Sequence, residues 1–312
     1  MNAFKLGGAF SRLGRKFAIL PRRKADTSRV TDQNAAASSK SQIPFGDLQM
    51  SQFAGLRVLC FHSVSDLSGT EIARYGIPKN EFKAVIDTLL NNGFDFIDAK
   101  ELFDYEAPAK GTGGRDVLIT FDDGYQDVLD AFDILKERGI RALVFPVSSL
   151  IGAANNWDKD RNIPNLPLLT GDQLKFLDDN GWMVGSHTHT HPDLRSLDDS
   201  AVIREILQSI SALKSLDLRC AMALAYPYGF HNDRIAMLAR KAGLSCAFTT
   251  KAGFITEYSD PMTIPRIEVY RGELGNTLVN KVLGPIHSRI IPSIISGARN
   301  KAGKFGFRKF CQ

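Results

Sequence analysis

The sequence predicts an α/β protein built as a distorted (β/α) barrel of seven or eight units. Three observations carry that reading. Short apolar runs alternate with amphipathic stretches of helical period, which means βα units and a parallel sheet. The repeats number seven or eight between Leu56 and Val269, which suits a barrel. The unusual polar residues fall at the ends of the apolar runs, where a barrel gathers its chemistry.

The elements follow in order. Arg57-Val58-Leu59-Cys60-Phe61 is a strand that ends at His62. Glu81 to Asn91 reads as a helix with Asn80 as its cap and Gly93 as its stop. Phe94 to Ile97 is a second strand, and Leu118-Ile119-Thr120-Phe121 is a third, running into Asp122-Asp123-Gly124-Tyr125. Asp127 to Arg138 is the next helix, stopped at Gly139, and Arg141 to Pro146 is the fourth strand. Residues 151–169 form a loop containing Trp157, and Thr170 opens another helix. Trp182 to Ser186 leads into His187, the end of the fifth strand, and Asp198 to Leu216 is a long amphipathic helix. Ala221 to Tyr226 is the sixth strand, Asp233 to Ala242 a helix ended by Gly243, Cys246 to Thr249 the seventh strand, and Met262 to Val269 the eighth.

The net charge of +5 is unevenly laid out. Residues 1–24 carry seven Lys/Arg and no acid, and residues 281–312 carry seven more and no acid. The remaining 25 bases face all 34 acids, so the middle is acidic, which argues against nucleic acid as a partner. The basic ends instead suit an anionic surface such as bilayer phosphate. Phe10, Leu13, Phe17 and Leu20 recur at helical spacing among Arg12, Arg15 and Lys16, which fits an interfacial helix or a disordered basic arm. These bases also interrupt the apolar stretch that a secretory signal needs. Residues 1–55 are therefore read as a basic arm and linker, 56–273 as the barrel, and 274–312 as a basic amphipathic tail. In the tail, Val282, Leu283, Ile286 and later isoleucines are broken by Pro285 and Pro292, which suits short interfacial pieces or a helix on the barrel followed by a loose end. The expected location is cytoplasmic, peripheral on an inner membrane. Cys60, Cys220, Cys246 and Cys311 show no CxxC spacing and read as small apolar residues rather than a redox or zinc site.

The strand ends carry the chemistry. His62 ends strand one, Asp122 and Asp123 end strand three, His187 runs into Thr188-His189-Thr190-His191, and Tyr226-Pro227-Tyr228-Gly229 follows strand six. Adjacent carboxylates repel and need a nearby cation. Two imidazoles four residues apart and one carboxylate, with a position open for water, make a catalytic zinc set; a polar loop held by its own hydrogen bonds is the plainer alternative.

Thr120-Phe121-Asp122-Asp123-Gly124, Ser186-His187-Thr188-His189-Thr190-His191-Pro192 and Tyr226-Pro227-Tyr228-Gly229 together resemble the three successive motifs of the polysaccharide deacetylases, the carbohydrate esterase family 4 or NodB-homology domain. The resemblance covers about residues 56–270. It implies that Asp123, His187 and His191 hold a divalent metal, zinc in the first place. It implies that Asp122 is the base that takes a proton from the attacking water, whose pKa the metal lowers. The oxyanion would be met by the metal and the backbone N–H of Tyr228. Tyr125 and Trp157 could line the sugar site, or simply pack at a helix start and anchor a loop.

Two departures stand out. The third motif usually begins with an Arg that orients the base, and here that position is Ala225; Arg266 is expected to supply the guanidinium. The late Leu-x-His motif that supplies the acid is missing, since no His lies between His231 and His287; Phe61-His62 resembles the first-strand segment that supplies it in other members. His231 reads as a cap or surface residue.

The expectation is thus a metal-dependent N-deacetylase of amino sugars in a polysaccharide or lipid-linked glycan precursor. Its partners would be the N-acetylated glycan and, peripherally, an anionic membrane. A deformylase of a lipid-linked amino sugar is a related enzyme reading. A non-catalytic glycan binder on the same barrel is the reading from another class.

Overall fold

The eight strands among the described residues join one sheet, every strand pairing parallel, and its order explains how distant polar residues meet. The computed structural model describes residues 50–103, 115–158 and 163–284. The strands are β1 (Arg57–Phe61), β2 (Asp95–Phe96), β3 (Asp116–Phe121), β4 (Ala142–Val144), β5 (Met183–Ser186), β6 (Cys220–Ala225), β7 (Cys246–Phe248) and β8 (Ile267–Glu268). Their spatial order is β7-β6-β5-β4-β3-β1-β8, and β2 pairs with the first residues of β3. The helices are α1 (Lys79–Asn91), α2 (Ala99–Phe103), α3 (Val128–Lys136), α4 (Gly171–Asp179), α5 (Asp199–Ser215), α6 (Asp233–Lys241) and α7 (Gly275–Leu283).

The sheet curls into the predicted distorted (β/α) barrel. Near its two ends, β7 meets the segment just before β8 through an isolated parallel bridge between Phe248 and Ile264. Ile264 N donates to Ala247 O, Thr249 N to Ile264 O, and Arg266 N to Lys251 O. The eighth strand, expected from Met262 to Val269, is shortened to Ile267–Glu268. Pro265, which lacks an N–H, interrupts the ladder there and leaves a closing seam rather than a full strand.

Side-chain alternation sorts each strand. Val117, Ile119 and Phe121 join the layer under α1, α3 and α4. Leu118 points the other way, into a cluster with Val58, Leu143, Phe145 and the small Ala221, Ala223 and Ala225. The period of two therefore places Thr120 and Asp122 on the inner face, and Cys60 beside them from β1. A third cluster seats α5 and α6 against Leu224, Tyr226 and Ala247.

Helix starts follow ordinary capping chemistry. Thr170 and Gln173 form a reciprocal capping box on α4, Asp198 accepts from Ala201 N at 2.8 Å, and Asn232 accepts from Ile235 N at 3.0 Å. Helix α1 begins earlier than expected, at Lys79, with Pro78 rather than Asn80 at its cap position and no side-chain cap.

Among the described residues, Met50 is buried in the inner cluster, and the packing runs through α7. Leu278, Val279, Val282 and Leu283 of α7 are buried against the barrel. Buried Arg57 donates to the last carbonyls of that helix, Val282 O at 2.6 Å and Leu283 O at 3.2 Å. Val282 and Leu283 thus face the core, and any interfacial role falls to residues 285–312. Those residues and the basic arm lie outside the described residues. No helix among the described residues is long and apolar enough to cross a membrane.

Candidate active site

The parallel register of β1 and β3 pairs Phe61 with Phe121, so His62 and Asp122 leave adjacent strands at the same level. Asp122 N donates to Phe61 O at 2.9 Å. Its carboxylate is buried and lies in a fork: Arg266 Nη1 donates to Oδ1 at 2.7 Å and Nη2 to Oδ2 at 2.6 Å. Arg266 is itself fully buried and also donates to Thr120 Oγ1 at 3.2 Å and Thr249 O at 2.9 Å. Cys60 Sγ–H reaches Asp122 Oδ2 at 3.6 Å. Burial alone would raise the pKa of Asp122, but the Arg266 charge outweighs it, with His187 and His62 adding, and holds the carboxyl far below its usual range. Arg266 thus lies where the sequence reading asked for a guanidinium. Ala225, at the position where the third motif usually carries Arg, instead offers its carbonyl to His187 Nδ1 at 2.8 Å.

Asp123, His187 and His191 converge from two loops. Asp123 Oδ1 lies 3.3 Å from His187 Nε2 and 3.4 Å from His191 Nε2, and all three residues are buried. Asp123 has φ 68°, and Thr188 and His191 have φ 65° and 63°. His187 and His191 therefore meet through a tight loop, not one helical turn. Gly124 keeps the first loop tight: at φ 74° a Cβ there would lie 2.8 Å from Pro146 Cα. Upstream of the second loop the register of β5 against β6 shifts between Val184 and Ser186, an irregularity of the kind that re-aims side chains next to sites.

The donor set fits a cation. Burial opposes charge on His187, but Asp122 and Asp123 raise its pKa. Burial and then His187 push His191 down to about 3. The approach of His191 to Asp123 is therefore not an ion pair, despite its length, because the imidazole is neutral. Where the proton of that neutral ring sits on Nδ1, the Nε2 lone pair faces the carboxylate oxygen, which suits a cation between them. With Nδ1–H of His187 given to Ala225 O, its Nε2 is the ligating atom. These three groups form a set of ligand atoms within 4.8 Å of one another. His191 Nδ1 is buried without a hydrogen-bond partner among the described residues.

These residues open into one cavity of about 740 Å³ that also takes in His62, Tyr125, Trp157 and Tyr228. His62 packs against Tyr75, with centroids 4.7 Å apart and the rings tilted by 54°. Trp157 lies 4.7 Å from the His191 ring and 6.3 Å from Tyr125. Tyr228 has φ 59° and its ring lies 4.6 Å from that of His191. Tyr125 is only 4% exposed, so it contributes to the wall mainly by packing. His231 stands apart, stacked on Tyr226 with Nδ1 3.1 Å from Gly229 O.

Sequence reasoning missed Glu205. From α5 it accepts from His189 N at 3.0 Å, Thr190 N at 2.8 Å and Thr190 Oγ1 at 2.8 Å, tying down the loop between the two histidine ligands. A Glu on the polar face of an amphipathic helix carries no signal of such a contact.

With this geometry in view, comparison with known proteins is specific. The family model for polysaccharide deacetylase matches residues 109–247. The poly-β-1,6-N-acetyl-D-glucosamine N-deacetylase of Staphylococcus epidermidis is 34% identical over 217 residues, 66% of this chain and 72% of that protein. The structure of IcaB from Ammonifex degensii superposes with a TM-score of 0.61 at 27% identity, covering 74% of this chain and 98% of that one. A polysaccharide deacetylase from Bacillus cereus gives a TM-score of 0.61 at 21% identity over 73% of this chain and 68% of that one, a likeness of fold. The matched span holds the Asp-Asp pair, the histidine loop and the Tyr-Pro-Tyr-Gly turn, while His62 and Arg266 lie on either side of it; on these grounds the chain belongs to the polysaccharide deacetylase family.

Proposed function

We propose that the protein is a metal-dependent carbohydrate N-deacetylase that removes acetyl groups from N-acetylglucosamine units of an exopolysaccharide. The observation that carries this is the split of two adjacent buried carboxylates, Asp122 forked by Arg266 and Asp123 facing two imidazoles. A pure binder has no use for a guanidinium-clamped carboxylate beside a ligand set. The polymer, rather than a single sugar or a lipid-linked precursor, is supported by relatives named for poly-β-1,6-N-acetyl-D-glucosamine. The location at the cytoplasmic face of an inner membrane rests on the basic sequence ends alone.

Asp123, His187 and His191 would hold the metal, zinc in the first place. When bound, it supplies a Lewis acid that acidifies water and polarises the amide carbonyl. Asp122, kept ionised and fixed in direction by Arg266, takes a proton from the water as its oxygen bonds to the carbonyl carbon. The backbone N–H of Tyr228 donates to the oxygen that becomes negative. His62 gives its proton to the nitrogen as the C–N bond breaks, releasing acetate and a free amine.

The test is amine release from β-1,6-linked N-acetylglucosamine oligomers, with metal content measured on the same samples. Chelation should abolish turnover and zinc restore it. His62→Asn should keep its metal and lose about 10²-fold or more in kcat. Turnover that survives full chelation, or a His62→Asn enzyme of near wild-type kcat, refutes the respective assignment.

A further inference from the structure

The cavity has an aromatic wall that this chemistry does not use. Phe230 is 43% exposed and Tyr228 39% exposed. Both line the cavity that holds the Asp123 ligand set. Their ring centroids are 5.7 Å apart and the rings tilt by 37°. Tyr228 lies against His191, so Phe230 is the next ring outward from the reacting centre.

Phe230 is also braced. The guanidinium carbon of Arg195 sits 3.9 Å from its centroid, over the ring. Arg195 is in turn gripped by Asp193, with Nε to Oδ1 at 3.0 Å and Nη2 to Oδ2 at 2.8 Å. Asp193 follows the ligand His191 by two residues and caps the short turn that carries Arg195. Phe230 and Asp193 line the cavity while Arg195, which bridges them, does not. A planar cation on one face of a benzene ring fixes the ring's orientation. The result is a braced, part-exposed aromatic ring on the cavity wall.

We propose that Phe230, held by the Arg195–Asp193 pair, is a stacking platform for a sugar next to the unit being deacetylated. The inference rests on the deacetylase reading and extends it to chain length. A pyranose presents apolar C–H faces between polar edges, and a fixed aromatic ring meets such a face at little entropic cost. The enzyme would therefore favour chains over single sugars, and Phe230 would be the source of the preference.

The test compares wild type, Phe230→Ala, Phe230→Trp and Arg195→Ala on β-1,6-linked N-acetylglucosamine monomer, dimer and pentamer. The readout is the ratio of kcat/KM for pentamer over monomer, with pentamer affinity measured separately by calorimetry. Phe230→Ala should lower the ratio about tenfold, about 1.4 kcal/mol, mainly through KM. Phe230→Trp should keep the ratio, and Arg195→Ala should lower it by a smaller factor. A Phe230→Ala ratio equal to that of wild type, or equal losses on monomer and pentamer, overturns the platform. If wild type releases no amine from any oligomer, the deacetylase reading fails on its own. Calorimetry still decides the platform in that case: equal pentamer affinity in wild type and Phe230→Ala overturns it, and a tenfold weaker variant supports it.

Discussion

Arg266→Met would remove the partner of Asp122 while filling most of the same volume. The side chain it replaces is fully buried and makes four hydrogen bonds, two of them to Asp122. Asp122 is 2% exposed, so the loss leaves a buried carboxylate facing only Cys60 Sγ and the neighbouring histidines. Removing one member of a buried ion pair costs about 3–5 kcal/mol. In a domain of this size that lowers Tm by roughly 6–20 °C.

Stability alone does not separate a lost ion pair from a lost packing residue. A double-mutant cycle with Asp122→Asn does, because the second substitution removes the charge that Arg266 serves. The coupling energy from chemical unfolding should be about 2–3 kcal/mol, with the double variant less damaged than the sum of the single ones. Metal content of Arg266→Met should stay near wild type, since none of the three ligands touches Arg266, while kcat falls about 100-fold or more as the base loses its direction. Additivity within about 0.5 kcal/mol, or a kcat within about threefold of wild type at full metal loading, would refute the assignment of Arg266 to the base.

Two further outcomes follow from groups around the site. Glu205→Ala frees the loop between His187 and His191, so metal affinity measured by chelator competition should fall about 10- to 100-fold, with Glu205→Gln in between; unchanged affinity would show that the loop holds its own shape. Asp127 accepts from Ser63 Oγ at 2.5 Å, and burial raises its pKa despite that bond. A carboxyl with a raised folded pKa contributes stability that is present below its unfolded value, about 4, and is lost as pH rises through the folded value. The Tm of Asp127→Asn minus that of wild type should therefore grow as pH rises from about 4 to 7; a difference that is flat or shrinks over this window contradicts it.

Much of the barrel and of the ligand set was legible because both are written in local pattern. β1 and β3 are buried throughout, mostly apolar, and run into His62 and Asp122, and the alternation that turns Leu118 inward also turns Asp122 inward. What was not legible depended on pairings far apart in sequence. Arg266 is expected as the guanidinium only because Ala225 stands where the motif has Arg; how it reaches Asp122 depends on the closure at Ile264, which pairs with Phe248 just before Pro265 and β8. Glu205 meets the histidine loop only once α5 packs beside β5. The positions of Val282 and Leu283 turn on tertiary contact as well: amphipathic spacing near basic residues describes a membrane-facing helix and a barrel-packed one equally well, and Arg57 at the helix end decides between them.

Backbone strain separates the site from the scaffold. Five residues other than glycine among those described have positive φ, and four of them, Asp123, Thr188, His191 and Tyr228, belong to the site. The fifth, Asp217 at φ 53°, follows the C-cap residue Leu216 of α5, a place where glycine is the ordinary choice. For an L-residue this conformation costs about 1–2 kcal/mol, and glycine gives back about 0.5–1 kcal/mol in chain entropy. Asp217→Gly relieves this strain but also removes an interacting side chain, so stability should change by no more than about 1 kcal/mol, with kcat/KM and metal affinity unchanged. Thr188→Gly relieves the same strain at φ 65° but deletes the hydroxyl that accepts from His191 N at 3.0 Å. It should weaken metal binding even where it does not lower Tm. If both variants left metal affinity unchanged, the Thr188 hydroxyl would be idle; a loss confined to Thr188→Gly identifies that hydroxyl as part of what holds His191 against Asp123.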